Sequence, residues 1–129
     1  EYSVEFRDAL VFEGDIDYKD GIESANRLMD TQVNATAVVA AADILAIGAA
    51  KAFYERGVRV PDDISLMGFD DLEISQYLTP GLTTVRQQIS LKGEKAVELL
   101  IRSINEPELT KQELILPVSL VERESVKRI

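Results

Sequence analysis

The sequence predicts an α/β fold, a parallel sheet flanked by helices, and two features of the chain lead to that prediction. Short apolar runs alternate with longer segments whose apolar residues recur at helical spacing. Acidic residues follow directly on two of the apolar runs, and in open sheets ligands bind at the ends where parallel strands finish. With 129 residues, 46% of them hydrophobic, the chain is long enough for one domain with a hydrophobic core.

The first half of the chain is predicted to alternate strand and helix. Residues 9–13 contain three consecutive apolar side chains and predict a short strand, and residues 21–29 carry apolar side chains at helical spacing. A second strand is predicted over residues 37–41 and a second helix over residues 44–56. Gly57 follows where a left-handed C-cap is expected. The predicted apolar face of the second helix comprises Ala46, Ile47, Ala50, Phe53 and Tyr54.

The second half continues the alternation. Residues 64–69 form an unbroken apolar run between two pairs of aspartates, which predicts a strand buried on both faces. Parallel strands joined by helices in this way cross over right-handed. The remaining predicted elements are a brief helical piece over residues 72–77, a strand over 82–86, a helix over 91–105 that ends before Pro107, and a strand over 114–121.

Composition excludes several classes of function. A formal charge of −9 and a pI near 4.5 disfavour direct contact with nucleic acid or with an anionic membrane surface. The chain has no cysteine and no histidine, which removes disulfides, thiolate and imidazole metal sites and His-dependent catalysis. Neither a dinucleotide-binding glycine motif nor a P-loop is present. We therefore expect no metal, no cofactor and no enzymatic activity.

Asp43 and Asp70 are the candidate site residues that follow from the residue pattern. Each comes directly after a predicted buried strand, so both are expected at the same edge of the sheet. A carboxylate there can accept hydroxyl hydrogen bonds from a polyhydroxylated ligand such as a sugar. The alternatives are structural. Asp43 would serve as the N-cap of the helix that follows it, and Asp70 would accept hydrogen bonds within its turn.

Four ordered segments carry a resemblance to a known family, and they are residues 41–48, 60–71, 78–85 and 116–125. Through them the chain resembles the effector-binding domain of LacI/GalR-type bacterial transcriptional regulators, from about Val11 onward. The resemblance implies the periplasmic-binding-protein-like type I fold, here incomplete, with a small effector such as a sugar or nucleobase between two subdomains. It also implies that a helix-turn-helix domain and the amino-terminal subdomain lie outside this sequence, so that the chain, which begins at Glu1, is a fragment.

The same resemblance assigns roles to individual residues. Asp70 matches the position that accepts hydrogen bonds from the effector, Asp43 matches the aspartate that starts a helix, and Gln87 matches a position at a crossover bordering the site. Ile16 falls where an aromatic side chain often stacks on the ligand. Ile16 and Ala42 depart from the family pattern, since Ala42 stands where many members have asparagine, and both put the usual sugar-binding geometry in doubt.

The resemblance further implies the domain organisation and the partners. Residues 1–86 would belong to the carboxyl-terminal subdomain, residues 87–112 to a crossover and a helix of the amino-terminal subdomain, and residues 113–129 to a return strand and tail. We expect a cytoplasmic homodimer that contacts operator DNA only through the missing domain. The alternative is a periplasmic-type sugar-binding protein that serves transport. The expected dimer contacts are Ala46, Ala49, Ala50 and Tyr77, and the alternative is that part of this apolar face belongs to the chain's own core.

The helix predicted over residues 91–105 has an apolar stripe of its own. Because the resemblance places it in the subdomain that is mostly missing, the stripe would have lost its usual partners. We expect it to pack on a second copy of the chain or on the chain's own sheet. The stripe comprises Val97, Leu100, Ile101 and Ile104.

Overall fold

The structure is a computed structural model that describes residues 8–31, 33–106 and 112–128. Its helices and strands follow the alternation expected of an α/β domain. They are, in chain order, a 3-10 helix Asp8–Leu10, α1 Tyr18–Asp30, β1 Ala37–Val39, α2 Asp43–Glu55, β2 Ser65–Asp70, a 3-10 helix Glu73–Tyr77, β3 Thr83–Arg86, α3 Ile89–Asn105 and β4 Ser119–Val121.

The four strands form one sheet in the order β1-β2-β3-β4. β1, β2 and β3 are parallel, with Val38 paired to Leu66 and Gly68 paired to Thr84, and β4 joins β3 antiparallel. The predicted α/β class and the predicted parallel pairing are therefore confirmed. Because three parallel strands end at one edge, the residues that follow β1, β2 and β3 lie at that edge together.

The hydrophobic core lies between α1, α2 and one face of the sheet. Phe53 of α2 and Leu66 of β2 are buried, and each such side chain contributes about 1.5–3 kcal/mol by leaving water. The expectation that β2 is buried on both faces is wrong. Leu66 and Gly68 are buried, whereas Met67 and Phe69 point to the opposite face and are only half-buried, because no described helix covers that face.

The two core helices have the ends that their sequences specify. Asp17 caps α1, since its carboxylate accepts from the backbone N–H of Asp20 at 2.8 Å. α2 ends at Glu55, and Gly57 two residues later has a φ of +73°, which confirms the left-handed conformation predicted there. Gly48 permits α1 and α2 to approach closely, because a Cβ there would clash with the carbonyl oxygen of Tyr18. The predicted α2 face is partly wrong, since Tyr54 is 85% exposed.

Two predicted strands differ from the structure. Residues 9–13 do not form a strand. They begin in a 3-10 helix, and Phe12 lies under the guanidinium of Arg27 on α1 instead of pairing with β1. The last strand covers only Ser119–Val121, because β3 offers just four residues and its Arg86 already pairs with Ser119. The predicted stop at Pro107 lies outside the described residues.

α3 confirms the helix predicted over residues 91–105, with its start two residues earlier. None of its described side chains is buried, and the apolar stripe stays exposed, from 52% at Ile101 to 68% at Ile104. Packing of this stripe on the chain's own sheet is therefore not observed. Among the described residues, no helix has the length and apolar character needed to cross a membrane.

Candidate functional site

The candidate site lies at the edge where β1, β2 and β3 end. Asp43 comes four residues after the last residue of β1, Asp70 is the last residue of β2, and Gln87 directly follows β3. The parallel pairing of these strands brings the three residues to the same edge, which the sequence pattern predicted for Asp43 and Asp70. Two of them, Asp70 and Gln87, are in direct contact.

Asp43 is fully buried, and its carboxylate is surrounded by donors from the chain itself. Oδ1 accepts from Thr84 Oγ1 at 2.5 Å, and Oδ2 accepts from Ser75 Oγ at 2.6 Å and from the backbone N–H of Leu72 at 2.8 Å. One carboxylate thus ties the start of α2 to β3 and to the segment after β2. With both oxygens occupied inside the protein, its placement favours holding the edge together over touching a ligand.

The prediction that Asp43 caps α2 is wrong. The N-cap of that helix is Ala42, which offers no side-chain acceptor, and Asp43 is the first helical residue. Its carboxylate faces the sheet because Thr84 and Ser75 supply hydroxyl donors there. Asp43 instead accepts from the backbone N–H of Leu72, the residue that precedes the 3-10 helix after β2.

Gly68 provides the space in which the Asp43 carboxylate lies. A Cβ at this position would clash with Oδ1 of Asp43 and would lie 3.0 Å from Cδ2 of Leu82. Gly68 also pairs in register with Thr84 on β3, so the hydroxyl and the carboxylate meet directly above it. A side chain at position 68 would separate them.

Asp70 has the unusual backbone of the site. Its φ is +114°, and that of Asp71 is +55°, so two successive non-glycine residues occupy positive φ where β2 ends. The half-buried Asp70 side chain accepts from Gln87 Nε2, and Gln87 Oε1 in turn accepts from Lys92 Nζ at 3.2 Å. This arrangement offers a carboxylate and an amide side by side at the sheet edge, a pairing suited to hydroxyl groups of a ligand.

Asp71 is held by two arginines. Oδ1 accepts from Arg123 Nη2 at 2.7 Å and Oδ2 accepts from Arg86 Nε at 2.6 Å, and the Asp71 side chain is 8% exposed. Burial by itself raises the pKa of Asp71, but the hydrogen bonds and charges of Arg123 and Arg86 outweigh burial and lower that pKa below its ordinary value. Asp71 is therefore ionised at neutral pH.

Ile16 lies apart from the Asp70–Gln87 pair in the structure. It is 67% exposed in the loop before α1, where it lines a groove of about 590 Å³ with Val39, Ala40 and Ala41. Because Ala40 and Ala41 follow β1, the groove borders the same edge of the sheet as Asp70. Ala42, the other departure from the family pattern, is buried and offers no polar group.

The residues expected at a dimer interface divide into two groups. Ala46 and Ala49 belong to the chain's own core, with exposures of 0% and 5%, so their placement favours a packing role over a contact with a partner. Tyr77 is 69% exposed, and Ala50 is half-buried. Only Ala50 and Tyr77 therefore retain accessible surface.

Sequence reasoning missed the residues that hold the edge together. Each of these residues lies in a predicted element or in a segment that carries the family resemblance, but none was given a role. They are Thr84, Ser75 and Arg123. The available signal for Thr84 was its place in a predicted strand, since a hydroxyl that becomes buried there needs a partner. Arg123 follows a strand and carried no comparable signal. In the described ranges, no group of three acidic side chains could hold a metal ion.

Comparison with known proteins matches residues 3–126 to the periplasmic binding protein-like domain family. The HTH-type transcriptional repressor PurR of Mannheimia succiniciproducens is 39% identical over 129 residues, covering 100% of this chain and 39% of that protein. The transcriptional regulator CelR in complex with cellobiose has a TM-score of 0.85 at 33% identity, covering 94% of this chain and 37% of that one. A LacI family transcriptional regulator from Enterococcus faecium with bound ribose has a TM-score of 0.76 at 31% identity, covering 89% and 42%.

Proposed function

This chain belongs to the periplasmic binding protein-like domain family, and we propose that it is the effector-sensing part of a LacI/GalR-type bacterial transcriptional regulator. The PurR relative is a transcriptional repressor, and the two structural neighbours described above are transcriptional regulators with a bound sugar. The chain spans only 39% of the length of the PurR relative. The proposal therefore concerns the part that binds a small effector, and the DNA-binding activity of the whole protein is inferred from the relatives.

One observation carries the proposal: the Asp70 carboxylate stands at the carboxyl end of β2 beside the Gln87 amide from the end of β3. In open α/β sheets this is the edge where ligands bind. The carboxylate accepts hydrogen bonds and the amide both donates and accepts them, which suits a polyhydroxylated ligand such as a sugar. The proposed function uses no cofactor and no metal ion, and it requires no catalysis.

The test is a thermal-shift screen of the full-length gene product against pentoses, hexoses, disaccharides and nucleosides. A compound that binds the folded state increases the free energy of unfolding, by about 2.7 kcal/mol at one hundred times its Kd, and so raises the thermal midpoint. Asp70→Ala should weaken binding of the identified compound roughly tenfold to a hundredfold, since a hydrogen bond to a charged group contributes about 1.5–3 kcal/mol.

Asp62→Ala is the matched control, because Asp62 is an exposed aspartate beyond the opposite end of β2. It removes the same charge without touching the edge, and its binding should equal that of the unmodified protein. A screen without any stabilising compound, or equal binding by the Asp70→Ala variant, would count against the proposed function.

The remaining parts of the proposal concern assembly and signalling. The regulator would act as a cytoplasmic homodimer, with Tyr77 and Ala50 as the accessible contacts on this chain. Binding of the effector would shift the closure of two subdomains and change the spacing of the DNA-binding domains. The subdomain division into residues 1–86, 87–112 and 113–129 belongs to this proposal, supported by the absence of buried side chains on α3.

The transport alternative predicted from the fold is not favoured. The curated relatives are transcriptional repressors and regulators, and the structural neighbours with bound sugars are regulators as well. The formal charge of −9 fits a chain that leaves contact with operator DNA to another domain.

A further inference from the structure

We infer that Asp71 is a positioning residue: its carboxylate, clamped between Arg86 and Arg123, holds Asp70 in the orientation needed to bind the effector. The inference rests on the proposed function, because it concerns the same site. It goes beyond that function by assigning an influence on effector affinity to Asp71, Arg86 and Arg123, none of which belongs to the Asp70–Gln87 pair.

The backbone at the end of β2 needs such a clamp. Asp70 and Asp71 have φ values of +114° and +55°, and non-glycine residues rarely occupy this part of conformational space. Conformations of this kind persist only where the surroundings hold them in place. The value at Asp70 lies well outside the left-handed helical region that aspartate tolerates, so its own preference does not explain it.

The clamp joins three segments of the chain. Asp71 follows β2, Arg86 is the last residue of β3, and Arg123 comes after β4. Each carboxylate oxygen of Asp71 accepts from a different arginine. Arg123 also donates from Nη1 to the carbonyl oxygen of Leu82 at 2.7 Å, so its guanidinium is fixed on two sides.

The Asp71–Arg123 half of the clamp is shielded from water more than an ordinary surface ion pair, whereas the Arg86 side chain is 57% exposed. The Asp71 and Arg123 side chains are 8% and 16% exposed, whereas Arg59 and Asp63 form an ion pair with side chains that are 68% and 41% exposed. Coulomb attraction is stronger where less water screens it. The Asp71–Arg123 pair is thus suited to oppose the strain of the adjoining backbone.

The position of the clamp connects it to the effector site. Asp71 is the neighbour of Asp70, and Arg86 is the neighbour of Gln87, so the two ion-pair partners flank the two residues of the carboxylate–amide pair. Release of the clamp would allow Asp70 to relax toward ordinary φ values. The conformation that binds the effector would then be less populated, and the apparent affinity would fall by that fraction.

The experiment compares Asp71→Asn with the unmodified full-length protein. Asparagine has the same shape and tolerates positive φ, so the substitution removes the charge and leaves the local backbone preference. Asp63→Asn is the matched control, since it removes an arginine-paired aspartate beyond the other end of β2. Hydrogen exchange is measured without added sugar, and binding of D-ribose and of cellobiose is measured by calorimetry.

We expect Asp71→Asn to accelerate exchange of the amides of Asp71 and Leu72, to leave exchange in α2 unchanged, and to weaken sugar binding about tenfold. Asp63→Asn should change neither. Unchanged exchange at these two amides, or faster exchange with unchanged affinity, would overturn the inference. If the unmodified protein binds neither sugar, the proposed function fails for these sugars, and hydrogen exchange still decides whether Asp71 holds the segment.

Discussion

Replacement of Thr84 by valine tests the buried network around Asp43 directly. Both side chains are fully buried, and the Thr84 hydroxyl donates to Asp43 Oδ1 at 2.5 Å. A hydrogen bond to a charged group contributes about 1.5–3 kcal/mol, while the added methyl group regains less than about 1 kcal/mol. Because valine suits a strand, the backbone should be unaffected. We expect Thr84→Val to lower the free energy of unfolding by about 1.5 kcal/mol.

Urea denaturation followed by circular dichroism measures this change, with an unaltered m-value as the sign that the unfolding transition is the same. Thr36→Val, the same atomic change at an exposed threonine, should stay within about 0.5 kcal/mol of the unmodified protein. In an Asp43→Asn background the cost of Thr84→Val should shrink, because the hydroxyl acts through that carboxylate. A Thr84→Val protein as stable as the unmodified one would refute the reasoning.

Three further predictions concern packing, pH and assembly. Gly68→Ala should destabilise the protein by about 1–3 kcal/mol, since the new Cβ would clash with Asp43. Gly93→Ala, in open space on α3, should instead stabilise the protein by up to about 1 kcal/mol. Equal denaturation midpoints for the two variants would contradict this prediction. Hydrogen bonds from Arg59 lower the pKa of Asp63 from its ordinary 3.8 to about 2. The contribution of the Asp63–Arg59 pair to stability is therefore complete above about pH 4 and is lost as the pH falls toward 2. Between these pH values the thermal midpoint of the Asp63→Asn variant should fall less steeply than that of the unmodified protein. Parallel pH profiles of the two proteins would exclude the effect. Tyr77→Glu should shift sedimentation of the full-length protein from dimer toward monomer, and an unchanged dimer would remove Tyr77 from the interface.

The pattern of apolar residues predicted the fold well wherever the chain supplies its own neighbours. α1, α2, α3, β1, β2 and β3 all lie where periodicity placed them. The two errors about strands, one strand that does not form and one that is shorter than predicted, both arise from missing partner strands. Residues 9–13 are apolar enough for a strand but are not paired with β1, and residues 114–118 extend beyond the end of β3. A strand needs a partner backbone, and local sequence does not report where that partner ends.

The site was predicted only in part for a related reason. Asp43 and Asp70 were expected at the same edge of the sheet, and the family resemblance placed Gln87 at a crossover bordering the site. The structure brings Asp70 and Gln87 into contact. Asp43 was expected directly after a strand and lies four residues beyond β1 at the same edge. The donors that turn its carboxylate inward come from residues 72, 75 and 84. No spacing along the chain relates these positions, because β-strand register alone brings them together.

The sequence by itself determined the α/β class, the order of the elements, the placement of Asp43 and Asp70 at one edge of the sheet, and the absence of histidine and cysteine chemistry. Those properties depend on residue type and on local periodicity, both of which the amino-acid sequence shows without knowledge of the fold. Only the tertiary structure decided that Asp43 is a buried structural carboxylate, that Ala46 and Ala49 are core, and that Arg86 and Arg123 meet on Asp71. Such roles depend on which side chains of distant segments share a small volume, and packing alone sets that.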